Sequence, residues 1–299
     1  MQTGSSKLST VVIAAKAGRL GNRLFQSAYF MANAQARGYR LMNPALGEYA
    51  ASFEGSARDP FCRFPAFGEG IDPEIAAQCR DAAVTLLPMV SRLCPRSSIL
   101  DIRATHDAED LVYDLTGEEY LHKLNEGGTL FVKGWKFRDD EHLVAAHRVI
   151  AEYFTPVEEI RLKAERAVLK ARFQGDFVIG VHIRQGDYKD WKGGVHYFET
   201  EQYAHWMGEA SAMHPTRKTV FMICASDAID FLKFGGLTVT PGPGEVVADL
   251  HALSLCDGIM GPPSTFSTWA SYRGRTPLCM LQHHRQQVQE HDFVLHDRV

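Results

Sequence analysis

Histidine, arginine and aspartate fall close together in His182-Ile183-Arg184-Gln185-Gly186-Asp187-Tyr188, directly after an apolar stretch, Phe177 to Ile183, that reads as a strand. Side chains alternate along a strand, so Val181 and Ile183 share one side and His182 and Arg184 the other. An imidazole and a planar fork of guanidinium donors then project together near the strand's carboxyl end. The fork suits a diphosphate, and Asp187 after Gly186 is placed to orient it. The same residues could equally close a loop through an Arg184–Asp187 salt bridge. A second run, Pro262-Pro263-Ser264-Thr265-Phe266-Ser267-Thr268-Trp269, sets up a helix N-terminus, whose free N–H groups and dipole attract an anion. Capping explains one hydroxyl, and phosphate binding would use the rest. The third run, Gly18-Arg19-Leu20-Gly21-Asn22-Arg23, lies at a strand-to-helix turn where glycines let a ligand approach the backbone. It is neither GxGxxG nor GxxxxGK[ST], and a structural turn with Asn22 as helix cap fits it as well.

Asp227 after Ala225-Ser226 and Asp249 before Leu250 complete the acidic candidates of the second half, each also readable as an N-cap or an exposed helix residue. The histidines form no HExxH or other spaced metal pair, and His283-His284 reads as surface. There is no DxD triplet. A diphosphate-handling enzyme without one can stabilise its leaving group with arginine and helix N–H groups in place of a divalent ion, so neither metal nor cofactor is expected.

These groups need strands and helices to position them. Thr10 to Ala15 reads as a strand, and Leu24, Phe25, Ala28, Ala32 and Ala36 repeat at helical spacing up to Gly38. From Asn43 to Pro73 the sequence fills with Gly, Pro and aromatic residues, which reads as long surface loops of the kind that line a binding cleft. Thr129 to Trp135 reads as a buried strand, His147 to Phe154 as a helix, and Pro156 opens another through Ala171. The second half predicts strands at Phe177–Ile183, Thr219–Cys224, Leu237–Thr240, Gly258–Met260 and Leu278–Gln282. Its helices are expected at Thr200–Ala212, from Asp227, at Val246–Leu255 and at Thr265–Tyr272. Such alternation argues for parallel sheets covered on both faces, with ligands at the carboxyl ends of the strands. The expected architecture is α/β: two Rossmann-like, doubly wound lobes facing a cleft, residues 1–155 and 156–299.

Composition narrows the partners. With Lys+Arg 32 against Asp+Glu 36 and a formal net charge of -4, there is no basic field for a nucleic acid. The longest apolar runs, such as Val11 to Ala15, are far shorter than the roughly 20 residues a bilayer span requires. The polar start, with Lys16 and Arg19 soon after the first apolar stretch, does not read as a signal peptide, and a cytoplasmic location is expected. Cys62, Cys79, Cys94, Cys224, Cys256 and Cys279 form no CxxC pair and are expected as reduced core residues.

At these motifs the chain resembles the bacterial α-1,2-fucosyltransferase family and, more loosely, other GDP-fucose-dependent fucosyltransferases. Gly18 to Gln26 is similar to the family's opening segment, and Gly134-Trp135-Lys136-Phe137 with Phe154 and Pro156 to its middle segment. His182 to Tyr188 resembles the H-x-R-R-x-D motif. Ala248-Asp249-Leu250-His251-Ala252-Leu253-Ser254 through Ser264 to Ala270 resembles the closing pair of segments. Two positions depart: Gln185 stands where a second Arg is frequent, and Thr268 where a Trp is common.

The resemblance implies a GT-B fold with the acceptor on the N-terminal lobe and the nucleotide sugar on the C-terminal lobe, without a metal. Arg184 would hold the GDP diphosphate, His182 and Asp249 would position the guanosine, and Ser264, Thr265 and Ser267 would bind phosphate oxygens. Asn22 and the Gly21 backbone would reach the diphosphate or fucose, and Asp227 would lie near the sugar. Asp187 and Glu199 are the candidate bases, and the aromatic segment Lys189 to Phe198 is an expected acceptor contact. The implied reaction carries L-fucose from GDP-β-L-fucose, with inversion, to a hydroxyl, the 2-OH of galactose by family pattern, on an oligosaccharide or lipid-linked glycan. A lipid-linked acceptor would bring the protein against the inner membrane face. A related GDP-sugar transferase, or an inactive nucleotide- or glycan-binding homologue, would share these motifs.

Overall fold

The computed structural model describes residues 9–66, 70–93, 97–102 and 112–298. The chain divides into two compact units, Met1–Val157 and Glu158–Val299.

The first unit opens on β1 (Thr10–Ile13), whose apolar, β-branched residues pair in parallel on both sides. α1 (Leu20–Arg37) follows, buries Leu20, Leu24, Ala28 and Met31 on one face, and ends at Gly38. The chain continues through β2 (Arg40–Met42), β3 (Arg63–Phe64), α2 (Pro73–Leu93), β4 (Ser97–Asp101) and β5 (Tyr113–Asp114). It then forms α3 (Glu118–Asn125), β6 (Thr129–Lys133), β7 (Phe137–Arg138), α4 (Asp140–Ala145) and α5 (His147–Tyr153). The sheet order is β3-β2-β1-β6-β4, all parallel but for β3, while β5 and β7 form a separate pair. The chain leaves β1 to one side for β2 and later returns to the other for β6, so the order reverses between β1 and β6.

The second unit runs α6 (Glu158–Arg172), β8 (Phe177–Ile183), α7 (Thr200–Ala212), β9 (Thr219–Ala225), β10 (Val239–Pro241) and α8 (Val246–Ser254). It closes with β11 (Gly258–Gly261), α9 (Thr265–Gly274), β12 (Leu278–Met280) and β13 (Phe293–Val294). The sheet order is β10-β9-β8-β11-β12-β13, parallel throughout except for β13. Here the order reverses between β8 and β11. β8 is buried on both faces: Ile179, Val181 and Ile183 pack with Phe198, Tyr203, Trp206 and Met207 of the α7 side, while Leu253 of α8 lies against Gly180 on the other.

Several sequence expectations change. Residues 43–64 are not surface loops: Pro44–Ser52 is a 3-10 helix, and Leu46, Ala50, Phe53, Ala57, Asp59, Cys62 and Phe64 are buried. Pro65, Ala66 and residues 70–72 are exposed and irregular as expected, and residues 67–69 lie outside the described residues. Phe53 and Phe154 stack edge to face, so the aromatic residues there pack a core. No α-helix starts at Asp227. Asp230 instead caps a 3-10 turn, Phe231–Phe234, by accepting from the Leu232 N–H. Among the cysteines Cys79 is exposed, on α2, and Cys94 lies outside the described residues. Among the described residues no helix is long and apolar enough to cross a membrane.

Trp206 is fully buried, stacks on Phe198 at 4.9 Å and donates from Nε1 to the Gln286 carbonyl at 2.8 Å. Trp206→Ala is expected to cost about 3–5 kcal/mol, read as a lowered urea midpoint. Trp206→Phe, which keeps most of the volume, should cost clearly less.

Candidate functional site

Parallel α/β sheets bind ligands where the strand order reverses, outside the carboxyl ends of the strands. In the second unit that point lies between β8 and β11, and the two motif runs begin there. Beyond β8, Arg184 is held along one edge by Asp187: Nε donates to Oδ1 at 3.1 Å and Nη2 to Oδ2 at 2.7 Å. Beyond β11, Ser264 caps α9 by accepting the Phe266 N–H at 3.2 Å, and its Oγ also accepts Arg184 Nη1 at 3.3 Å. The guanidinium therefore spans the switch point. The salt bridge that offered an alternative reading of the motif is present, and it aims the arginine while one edge of the fork faces the α9 N-terminus.

Tyr188 carries the arginine from below. Its ring centre is 4.4 Å from the guanidinium carbon, and its hydroxyl donates to the Pro263 carbonyl, joining the β8 loop to the β11 loop. The motif contains Tyr188, but residue type alone assigns it no role. Its signal lies in the spacing, since a residue four after Arg184 in a turn can return beneath it. The stack continues through Trp191 at 4.8 Å and His196 at 5.6 Å, with Lys192 5.3 Å above the Trp191 ring. Gln185 donates to the Phe198 carbonyl at 3.0 Å and ties the base of this loop.

His182 is buried, shares a 2.7 Å hydrogen bond between Nδ1 and Ser267 Oγ, and lies 4.8 Å from the Phe266 ring. Burial, and then the Arg184 charge, hold its imidazole down at about 3, so it is neutral near pH 7. Thr265 is half-buried in the first turn of α9, while Thr268 donates to the Ser264 carbonyl at 2.9 Å. Asp249 sits in the first turn of α8, buried, and accepts the Gly244 N–H at 2.8 Å. Burial pushes its carboxyl up to about 6 against that bond. Asp227 is exposed after β9 and accepts the Gly186 N–H at 3.0 Å, which joins it to the motif loop. Glu199 is exposed at the start of α7 and accepts from the Tyr197 hydroxyl at 3.2 Å.

The first unit has its own switch point, between β1 and β6, and its motif lies there. Arg19, not Asn22, is the N-cap of α1, and its side chain does not cap the helix; Gly21 and Asn22 already belong to the helix. Asn22 folds back over Gly18, where a Cβ would meet its Nδ2 at 2.2 Å and the φ of +58° disfavours any side chain. Arg23, assigned nothing from the sequence, is buried and donates to the Gly18 carbonyl at 3.1 Å, fastening the turn. Burial opposes ionisation of Glu48, but Arg23 and Lys16 overcome it and hold the carboxyl down at about 2. Gln26 donates to the carbonyl of Gly134 beyond β6.

Two groups give opposite pH signatures. The His182 pKa lies below its unfolded value of 6.5, so its contribution to stability is present above 6.5 and lost as pH falls towards about 3. The Asp249 pKa lies above 3.8, so its contribution is present below 3.8 and lost as pH rises through about 6. In urea titrations from pH 4 to 8, His182→Asn should flatten the acid loss, and Asp249→Asn should gain on the wild type above pH 6.

No protein-family model and no curated protein sequence matches the chain. Solved structures do resemble it. An Arabidopsis thaliana FUT1 variant in complex with GDP aligns at a TM-score of 0.56 and 13% identity, covering 96% of this chain and 73% of that one. POFUT1 in complex with GDP-fucose aligns at 0.57 and 12%, covering 96% and 97%. The fucosyltransferase NodZ from Bradyrhizobium aligns at 0.53 and 18%, covering 92% and 96%. At such identities the likeness is one of fold, and the chain has the GT-B type of α/β fold.

Proposed function

We propose that the protein is an inverting glycosyltransferase that moves L-fucose from GDP-β-L-fucose to a hydroxyl of a glycan acceptor, with the 2-OH of galactose as the first acceptor to try. The observation that carries this reading is the Arg184 fork, fixed by Asp187 and Tyr188 and directed at Ser264 on the α9 N-terminus. A cation and free helix N–H groups converging at a switch point form a receptor for a diphosphate. The likeness in fold to proteins solved with GDP and GDP-fucose supports the choice of nucleotide.

In this reading the second unit holds the donor and the first the acceptor. Ser264, Thr265 and the α9 amides bind phosphate oxygens. Ser267 fixes the His182 ring, and Asp249, once ionised, accepts N–H donors of the guanine edge. The acceptor hydroxyl attacks C1 of fucose on the face opposite GDP and passes its proton to a base, for which Glu199 is the remaining candidate, while the C1–O bond to the β-phosphate breaks and its electron pair departs with GDP. Arg184 offsets the charge that develops there, which requires no divalent ion. Both oxygens of Asp187 are engaged by Arg184, so Asp187 acts as the orienter of the guanidinium. Gly21 and Asn22 form the ligand-facing turn of the first unit, and Asp227 stiffens the motif loop beside the sugar. Gln185 favours a second reading: with one arginine fewer, the same site could take another GDP-sugar.

Calorimetry with GDP, UDP and NAD, each with and without EDTA, tests the proposal. Selective GDP binding, unchanged by EDTA and weakened at least tenfold in Arg184→Ala, is expected; preference for UDP, or no GDP binding, overturns it. GDP affinity should rise with pH through about 6 in the wild type and lose that step in Asp249→Asn. Turnover of GDP-fucose with galactosides, compared with other GDP-sugars, then separates the two readings and an inactive binder.

A further inference from the structure

α2 shows two apolar faces. The inner one, with Ala76 and Leu87, packs on the first unit around the wholly buried Arg80, whose Nη1 donates to the Asp59 carbonyl at 2.8 Å. The outer one consists of Ile75, Cys79, Ala82, Leu86, Met89 and Leu93, all exposed. Ile75, Leu86, Met89 and Leu93 are exposed by 53%, 49%, 58% and 75%, a concentration of large apolar side chains unlike the scattered exposures elsewhere. Their spacing alternates four and three, the 3.5-residue repeat that keeps two helices in contact over several turns.

The stripe is also symmetric about Val84. Turning the helix end for end places Ile75 opposite Leu93, Cys79 opposite Met89 and Ala82 opposite Leu86. The small residues of the amino-terminal half then meet the large ones of the carboxyl-terminal half. Such a surface is complementary to itself under a two-fold axis.

We propose that α2 is a self-association surface, on which a second copy of this chain docks its own α2 antiparallel about a two-fold axis at Val84. A helix of 21 residues is about 30 Å long, so pairing along it occludes on the order of 1,000 Å² in total, the lower end for specific association. A lipid surface is the less suitable occupant, because Glu74 and Asp81 are exposed on α2 and carboxylates are repelled by anionic headgroups.

Sedimentation equilibrium of the full chain from about 1 to 100 μM tests this. A monomer–dimer equilibrium is expected for the wild type, and a monomer throughout for Leu86→Glu and for Met89→Glu. Their circular dichroism melts should stay within a few degrees of the wild type, because the face is solvated in the monomer. A wild-type monomer at 100 μM, or a dimer unaffected by both variants, overturns the proposal. Orientation is read in a Cys94→Ser background by adding Met89→Cys and oxidising with diamide. Antiparallel pairing gives a linked dimer only with that added thiol, opposite Cys79, whereas linkage through Cys79 alone indicates parallel pairing and overturns it. Flotation with phosphatidylglycerol vesicles, lost in Leu86→Glu while the wild type stays monomeric, would assign the stripe to a membrane instead.

Discussion

An arginine at the mouth of a parallel sheet has a long, flexible side chain, and a useful anion receptor must hold it still before a ligand arrives. Three groups do so for Arg184. Asp187 takes two of its donors, the Tyr188 ring supports its face, and Ser264 accepts a third donor from the far side of the switch point. Because Tyr188 is bound to the Pro263 carbonyl and Gln185 to the Phe198 carbonyl, fixing the guanidinium also fixes both loops. Much of the ordering entropy that an anion would otherwise have to overcome is spent in folding, which is the physical meaning of preorganisation.

The same constraint explains the buried polar groups around it. His182 lies close to a cation in a dry place, so a neutral ring that shares its proton with a serine is the stable arrangement. Asp249 has the opposite problem, a carboxylate in a dry place supported by a backbone N–H, and it sits near the boundary between its two protonation states. A ligand that supplies donors to Asp249 would complete a pairing that the protein leaves half-made.

The first unit solves a similar problem with different chemistry. Its turn is closed by Arg23 on the Gly18 carbonyl and by Asn22 folded over a glycine, and Gln26 bridges to Gly134 across the switch point. Both units thus place a tied loop where the strand order reverses, although one uses a charged clamp and the other backbone contacts.

Much of this was legible in the sequence because the informative signals are local. Phe177–Ile183 follows from a short continuous apolar run, Thr200–Ala212 from a period-3.6 pattern, and the Ser264 cap from a hydroxyl after two prolines. Residue type at short range also marked Arg184 with Asp187. Where the sequence misled, partners distant in the chain decided. Residues 43–64 have loop composition, yet Phe53 meets Phe154 and the Asp59 carbonyl meets Arg80, so much of that stretch is buried. α2 is hard to read from the sequence because apolar residues on two faces blur a single amphipathic period. Only the tertiary structure could bring Arg184 to Ser264 and Tyr188 to Pro263, since strand order, which no local pattern encodes, decides which loops become neighbours.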